Sequence, residues 1–257
     1  MESDEKSPLL SHLGEIRKRL VRSAIAVGVG FAITYAFSEK LFGLLAYPLK
    51  ANMPPGDRLV YTSLPEMFFI YIKTALVAGL LLAAPYVFYQ IYLLVAPGLY
   101  QKEQKTIIPF VLCSTVLFVG GALFGYFVVF PYGFKFFLAF SNEYIRALPS
   151  VRQYFSLAVK LLFAFGFVFE LPVAVFFLSR MGVVTSDFLK QKRRYAILLI
   201  FIIAAVLTPP DVITQFMMAL PLMALYEVSI LIAKVAGKKK KVAEDGESTS
   251  EKQSPSL

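Results

Sequence analysis

Long runs nearly free of charge alternate along this chain with short clusters of charged and polar residues, the pattern of a polypeptide whose solvent is lipid. Six runs stand out: Leu20 to Phe37, Phe68 to Val95, Thr106 to Phe130, Tyr154 to Leu178, Ala196 to Leu207 and Val212 to Val235. As helices rising about 1.5 Å per residue, most can span roughly 30 Å of hydrocarbon. Ala196 to Leu207 cannot, since about 12 residues reach only about 18 Å. Pro209-Pro210 forbids simple continuation of that helix. The expectation is a tight turn into the last run, with either the Tyr195 and Thr208 region extending the short helix or the bilayer thinned beside it.

Six crossings return the chain to the side on which it began. The N-terminal arm, the segment Pro97 to Lys105, the segment Arg180 to Arg194 and the C-terminal tail hold most of the 26 lysines and arginines. Such residues are retained on the cytoplasmic side. The fold class this implies is all-α, a polytopic membrane protein of six transmembrane helices with both termini in the cytoplasm.

Three regions follow. Residues 1–19 form a cytoplasmic amphipathic arm, with Leu9, Leu13, Ile16 and Leu20 at helical spacing and Pro8 suited to the first turn. Its apolar stripe is expected on the membrane surface or on the cytoplasmic ends of other spans. Residues 20–235 form the transmembrane domain. Residues 236–257, with Lys238 to Lys241 followed by a Glu, Ser, Thr and Pro tail, lack periodicity and are expected to be disordered. Between the first two spans, Leu41, Phe42 and Leu45 form an amphipathic stretch that is expected to turn at Pro48 and at Pro54-Pro55-Gly56, an ordered cap. The second outside segment, Pro131 to Arg152, is aromatic at its start and polar later. Pro85, Pro172 and Pro221 each remove a backbone donor within a span and are expected to kink it.

Composition narrows the chemistry. A content of 58% apolar residues with 25 Phe is too greasy for a soluble core of this size. The one cysteine, Cys113, and the one histidine, His12, exclude a thiolate or histidine metal cluster and an intramolecular disulfide. No GxxxxGK[ST], HExxH or GxSxG pattern occurs, so no nucleotide hydrolysis, metalloprotease or serine hydrolase chemistry is signalled, and no cofactor is implied. Glu170 is the sharpest remaining residue, because an ionisable side chain at the centre of a span costs at least about 2.5 kcal/mol. It is driven toward its neutral form and either bonds an internal partner such as Gln90 or Gln215 or faces a polar notch opened by Pro172. Glu15 and Glu103 are acids in basic surroundings near the membrane surface. Locally each has an ordinary partner, Lys18 or Arg19 for Glu15 and Lys102 or Lys105 for Glu103. Asp211 most simply caps the last helix.

The runs His12 to Leu20, Ala96-Pro97-Gly98-Leu99-Tyr100 followed by Glu103, Phe127 to Pro131, Phe165 to Pro172 and Leu207 to Asp211, in that order and each on its span or loop, resemble the TatC family of twin-arginine protein translocase subunits. The resemblance covers about Ser11 to Lys234. It implies a cupped, concave six-helix bundle in an energy-conserving inner membrane that binds twin-arginine signal peptides of folded precursor proteins and works on the proton-motive force. It further implies a signal-peptide site at Glu15 and Glu103 with Arg17 and Leu94 beside them, an intramembrane polar site at Glu170 with Gln215, and an outer cap and turn at Pro48, Phe68, Pro209 and Asp211. The partners implied are the single-span subunits TatA and TatB at the fifth and sixth spans, further copies in a larger complex and the lipid bilayer, with no nucleic acid. Tyr92 and Leu94 stand where the family often carries Trp and Phe. The reading is a receptor and platform rather than an enzyme, and its rival is a proton-coupled secondary transporter with Glu170 as the proton site.

Overall fold

The computed structural model describes residues 8–95, 107–141, 144, 147–208 and 212–251. Among them are nine α-helices: α1 (Pro8–Tyr35), α2 (Ser38–Lys50), α3 (Glu66–Val95), α4 (Ile107–Phe124), α5 (Phe130–Leu138), α6 (Val151–Phe169), α7 (Leu171–Arg180), α8 (Ser186–Leu207) and α9 (Val212–Glu251). Four stretches are each long and apolar enough to cross a membrane: Glu66–Leu94, Ile108–Leu138, Val151–Arg180 and Val212–Ala236. The bent pair α1 and α2, with 86° between them, qualifies as a fifth when taken together.

The chain divides into two compact units, Met1–Phe163 and Ala164–Leu257. In the first, α1 packs along α3. Small residues every fourth position let the backbones approach: Ala26, Gly30 and Thr34 on one helix, Ala75, Gly79 and Ala83 on the other. A Cβ on Gly30 would fall 2.5 Å from the Gly79 carbonyl oxygen, and one on Gly79 would fall 2.5 Å from the Phe31 nitrogen. Thr34 Oγ1 lies 2.7 Å from the Ala75 carbonyl oxygen, which pins the register. Helix α1 runs without interruption through the boundary expected between a surface arm and a first span.

Pro48 is a correction. The turn expected there is absent, because Pro48 is buried inside α2 and the chain bends only after Lys50. A proline within a helix leaves the carbonyl four residues earlier without its donor. Here that carbonyl belongs to Leu44, and the Tyr126 hydroxyl donates to it at 2.6 Å. The Tyr154 hydroxyl donates to the next carbonyl, that of Leu45. Two tyrosines thus satisfy the backbone of α2, and the rings of Tyr126, Phe130, Phe134 and Tyr154 pack against one another in tilted and edge-on contacts.

Pro131 is likewise helical rather than the start of a loop. A π-helical turn, Gly125–Val129, joins α4 to α5 and shifts the hydrogen-bond pattern just ahead of the proline, which then occupies the first turn of α5. The single span therefore continues to Leu138.

In the second unit α9 packs against both α7 and α8. Where a kink is expected at Pro172 the helix is interrupted: α6 ends at Phe169, Glu170 is a turn residue and α7 begins at Leu171. The basic segment Arg180 to Arg194 is mostly helix, not loop. Thr185 caps α8, its Oγ1 accepting from the Phe188 N–H at 3.2 Å, and Asp187 in the first turn pairs with Lys190 at 3.2 Å. Gly182, with φ +80°, makes the turn that separates α7 from α8. The apolar part of α8 is still only Ala196 to Leu207, but it rides on a 22-residue helix. Helix α9 continues past Gly237 to Glu251, where the sequence reading expects an unfolded tail. Lys, Ala and Glu are good helix formers, and the span before them supplies the nucleus.

Candidate functional site

Of the residues expected at the signal-peptide site, Glu15 and Arg17 lie near the start of α1 and Leu94 at the end of α3. Glu15 forms an ion pair with Arg19 one turn along α1, the ordinary partner its spacing allows, and the Glu15 side chain remains 40% exposed. Arg17 is exposed on the same helix. Leu94 is half-buried in the last turn of α3, two residues from Tyr92, whose ring is buried and stacks on Phe110 with centroids 6.1 Å apart. Glu103 lies outside the described residues, as do Pro209 and Asp211.

Glu170 is half-buried at the joint between α6 and α7. Its N–H donates to the Phe167 carbonyl at 3.1 Å, a tightened last turn, and its own carbonyl accepts from Ala174 at 2.9 Å. Pro172 has no N–H to offer Val168, so the helix reorganises at the acid. Gln215 donates to the Phe201 carbonyl at 3.1 Å, tying α9 to α8. Two further contacts join the same pair of helices: the Tyr226 hydroxyl donates to the Leu189 carbonyl at 2.8 Å, and Arg193 pairs with Glu227 at 2.7 Å. Glu227 therefore has its partner at the polar end of the hairpin, where an exposed pair contributes about 0–1 kcal/mol.

Phe68, expected at the outer cap, is 56% exposed in the first turns of α3. The residue that organises this region is one the sequence reading passed over. Glu66 is buried, its Oε2 accepting the Thr62 N–H and its Oε1 the Arg152 N–H, each at 3.1 Å. The same two segments meet in a short parallel bridge between Val60 and Ser150. One carboxylate thus joins the segment before α3 to the start of α6. The signal available was an acid directly after Pro65 and ahead of an apolar run, the position at a helix start where a carboxylate meets free N–H groups.

Glu66→Ala leaves two backbone donors without an acceptor, at about 1–3 kcal/mol each. The expected result is faster proteolytic cleavage between residues 52 and 65, with Glu66→Gln intermediate because the amide keeps one acceptor oxygen. Cleavage of Glu66→Ala at the parent rate would show that the staple is dispensable. Among the described residues no group of three or more His, Cys, Asp or Glu is placed to hold a metal ion.

The family model described as Sec-independent protein translocase protein (TatC) matches residues 11–221. A relative of that name from Desulforapulum autotrophicum is 56% identical over 237 residues, covering 92% of this chain and 88% of the relative. One from Magnetococcus marinus is 46% identical over 247 residues, covering 96% and 91%. The solved structure described as the crystal structure of the twin arginine translocase receptor TatC aligns with a TM-score of 0.78 at 40% identity, covering 88% of this chain and 99% of that one.

Proposed function

This chain belongs to the TatC family of Sec-independent protein translocase subunits, and on that footing we propose that it is the receptor for the paired-arginine signal peptides of folded precursor proteins. The observation that carries the reading is the half-exposed Glu15 carboxylate within the basic turn Arg17-Lys18-Arg19. A carboxylate offers about four lone-pair sites, so Glu15 can hold Arg19 and still accept an incoming guanidinium. Arg19, only 16% exposed, stays beside the carboxylate while an incoming guanidinium pairs with it through a charged hydrogen bond of roughly 1.5–3 kcal/mol. Two adjacent arginines call for two acids, and Glu103 supplies the second. Arg17 and Leu94 flank them, one orienting the carboxylates and the other meeting the apolar residues of the peptide.

Glu170, an acid within a span, is the intramembrane polar site that this reading assigns to the receptor, with Gln215 as its companion. Both α1 and α8 complete a count of six spans, with the two termini in the cytoplasm of a cell whose inner membrane holds the complex and whose proton-motive force drives transport. Leu198, Leu199, Ile202 and Val206 on α8 and Leu220 and Leu231 on α9 are all at least half exposed. These faces suit the single helices of TatA and TatB. A proton-coupled transporter built on Glu170 would instead move a solute across liposomes containing this chain alone.

The test is photocrosslinking from positions beside Glu15 to a precursor in membranes, with the two arginines intact or replaced by lysines. Lysine keeps the charge but loses the planar fork that engages a carboxylate at two points. Loss of crosslinks with lysines supports recognition by bidentate pairing. Equal crosslinks with both precursors would reduce the site to an attraction between charges.

A further inference from the structure

We propose that the groove between α1 and α3 binds an anionic phospholipid, its phosphate on Arg22 and one acyl chain lying along the two helices. The groove has a volume of about 370 Å³ and its walls include Ile25, Val29, Ile33 and Leu82, with Arg22 and Tyr86 at one end. That volume falls in the range of about 300–1,000 Å³ typical of small-molecule sites. The groove exists because the helices touch at Gly30 and Gly79. There the backbones meet, and the neighbouring Ala26 and Ala83 are too small to fill the space between the larger side chains that flare on either side.

The register sets the depth. Thr34 lies against Ala75 and Gly30 against Gly79, so each turn back along α1 matches one forward along α3 and brings Arg22 level with Tyr86. From Glu66 in the outer cap to Tyr86 the helix rises about 30 Å, one hydrocarbon thickness. Arg22 therefore stands at the headgroup level of the leaflet opposite the cap, and the apolar walls extend from it into the hydrocarbon.

Charge selects the headgroup. Arg22 makes no ion pair or hydrogen bond with any described residue. Lys18 lies one turn earlier on the same helix face and is exposed. Two cations above a hydrocarbon slot match a headgroup of net negative charge better than a zwitterion, whose own ammonium they repel. A transmembrane helix from another protein would fill the apolar part but bring no phosphate to Arg22.

The chain contains no tryptophan, so one introduced at Val29, about 10 Å below Arg22, reports on the groove alone. The full chain carrying Val29→Trp is reconstituted in phosphatidylcholine vesicles in which either the phosphatidylcholine or added phosphatidylglycerol bears brominated acyl chains. Quenching is expected to report about a fivefold preference for phosphatidylglycerol, from one basic contact at the surface. Arg22→Gln should abolish the preference, Arg22→Lys keep it, and inorganic phosphate leave it unchanged. In the unsubstituted chain, native mass spectrometry should show one retained phosphatidylglycerol that Arg22→Gln loses. Equal quenching by both lipids, or a preference that survives Arg22→Gln, overturns the proposal. So does competition by inorganic phosphate, which marks a plain anion site, and so does protection from both lipids, which marks a groove covered by a helix.

Discussion

Gly79→Ala is expected to destabilise the first unit by at least about 1–3 kcal/mol, whereas Gly28→Ala, on the helix it packs against, should be neutral or stabilising. A Cβ at position 79 would lie 2.5 Å from the Phe31 nitrogen and 2.8 Å from the Gly30 carbonyl carbon. Both obstacles are backbone, so no rotamer relieves the clash and the helices must separate. Separation then costs the Thr34 to Ala75 hydrogen bond as well. Gly28 has open space within 4 Å of its Cβ position, and alanine there gains up to about 1 kcal/mol of helix propensity over glycine. Unfolding of the two purified variants in detergent, followed by circular dichroism, distinguishes them. Equal stability would mean that the glycine crossing is not what holds α1 to α3.

The second large effect falls on binding. Glu103→Gln and Glu15→Gln should each weaken precursor binding by about 100-fold, the loss of a charge-assisted interaction of roughly 2–3 kcal/mol. Neither should lower the amount of protein in the membrane. Glu15 is 40% exposed, although Arg19 is mostly buried, and glutamine keeps an acceptor oxygen for that arginine, so a fall in binding at constant abundance isolates recognition from folding. Glutamine keeps the shape and one acceptor oxygen but removes the charge that makes a guanidinium contact strong. Abundance and binding falling together would instead point to a structural role for these acids.

Much of this fold was legible as hydrophobic runs, because lipid leaves a spanning chain little choice but a continuous helix. The runs Phe68 to Val95 and Val212 to Val235 match the apolar stretches Glu66–Leu94 and Val212–Ala236 closely, although the last helix itself continues to Glu251. The errors share a cause. Pro48 and Pro131 were read as breaks, since proline removes a donor, but the cost depends on whether something else satisfies the freed carbonyl. The Tyr126 hydroxyl does so for Leu44, and a π turn resets the ladder ahead of Pro131. At Pro172 the rule held, with the helix interrupted at Glu170. The segment Arg180 to Arg194 was read as a connection between spans because charge marks a boundary in membrane sequences, although charge says nothing about helicity.

The candidate sites were legible in a different way. Glu15 could be found from charge in basic surroundings, but its local partner Arg19 equally explains it, and only family resemblance raised it above an ordinary surface pair. Glu66 escaped because its meaning lies in two backbone donors, one of them 86 residues away, and no local pattern records such a contact. Gln215 was singled out as a companion of Glu170, and its amide is engaged with the Phe201 carbonyl.

The central claim is that one pair of arginines meets Glu15 and Glu103 together. It is tested most directly by a photoreactive residue placed in the precursor next to its arginine pair, with the adducts mapped by mass spectrometry after illumination in membranes. The account predicts adducts both on α1 around residue 15 and on the segment around residue 103, from the same probe position and lost together when the arginines become lysines. Adducts confined to one of the two segments would contradict it.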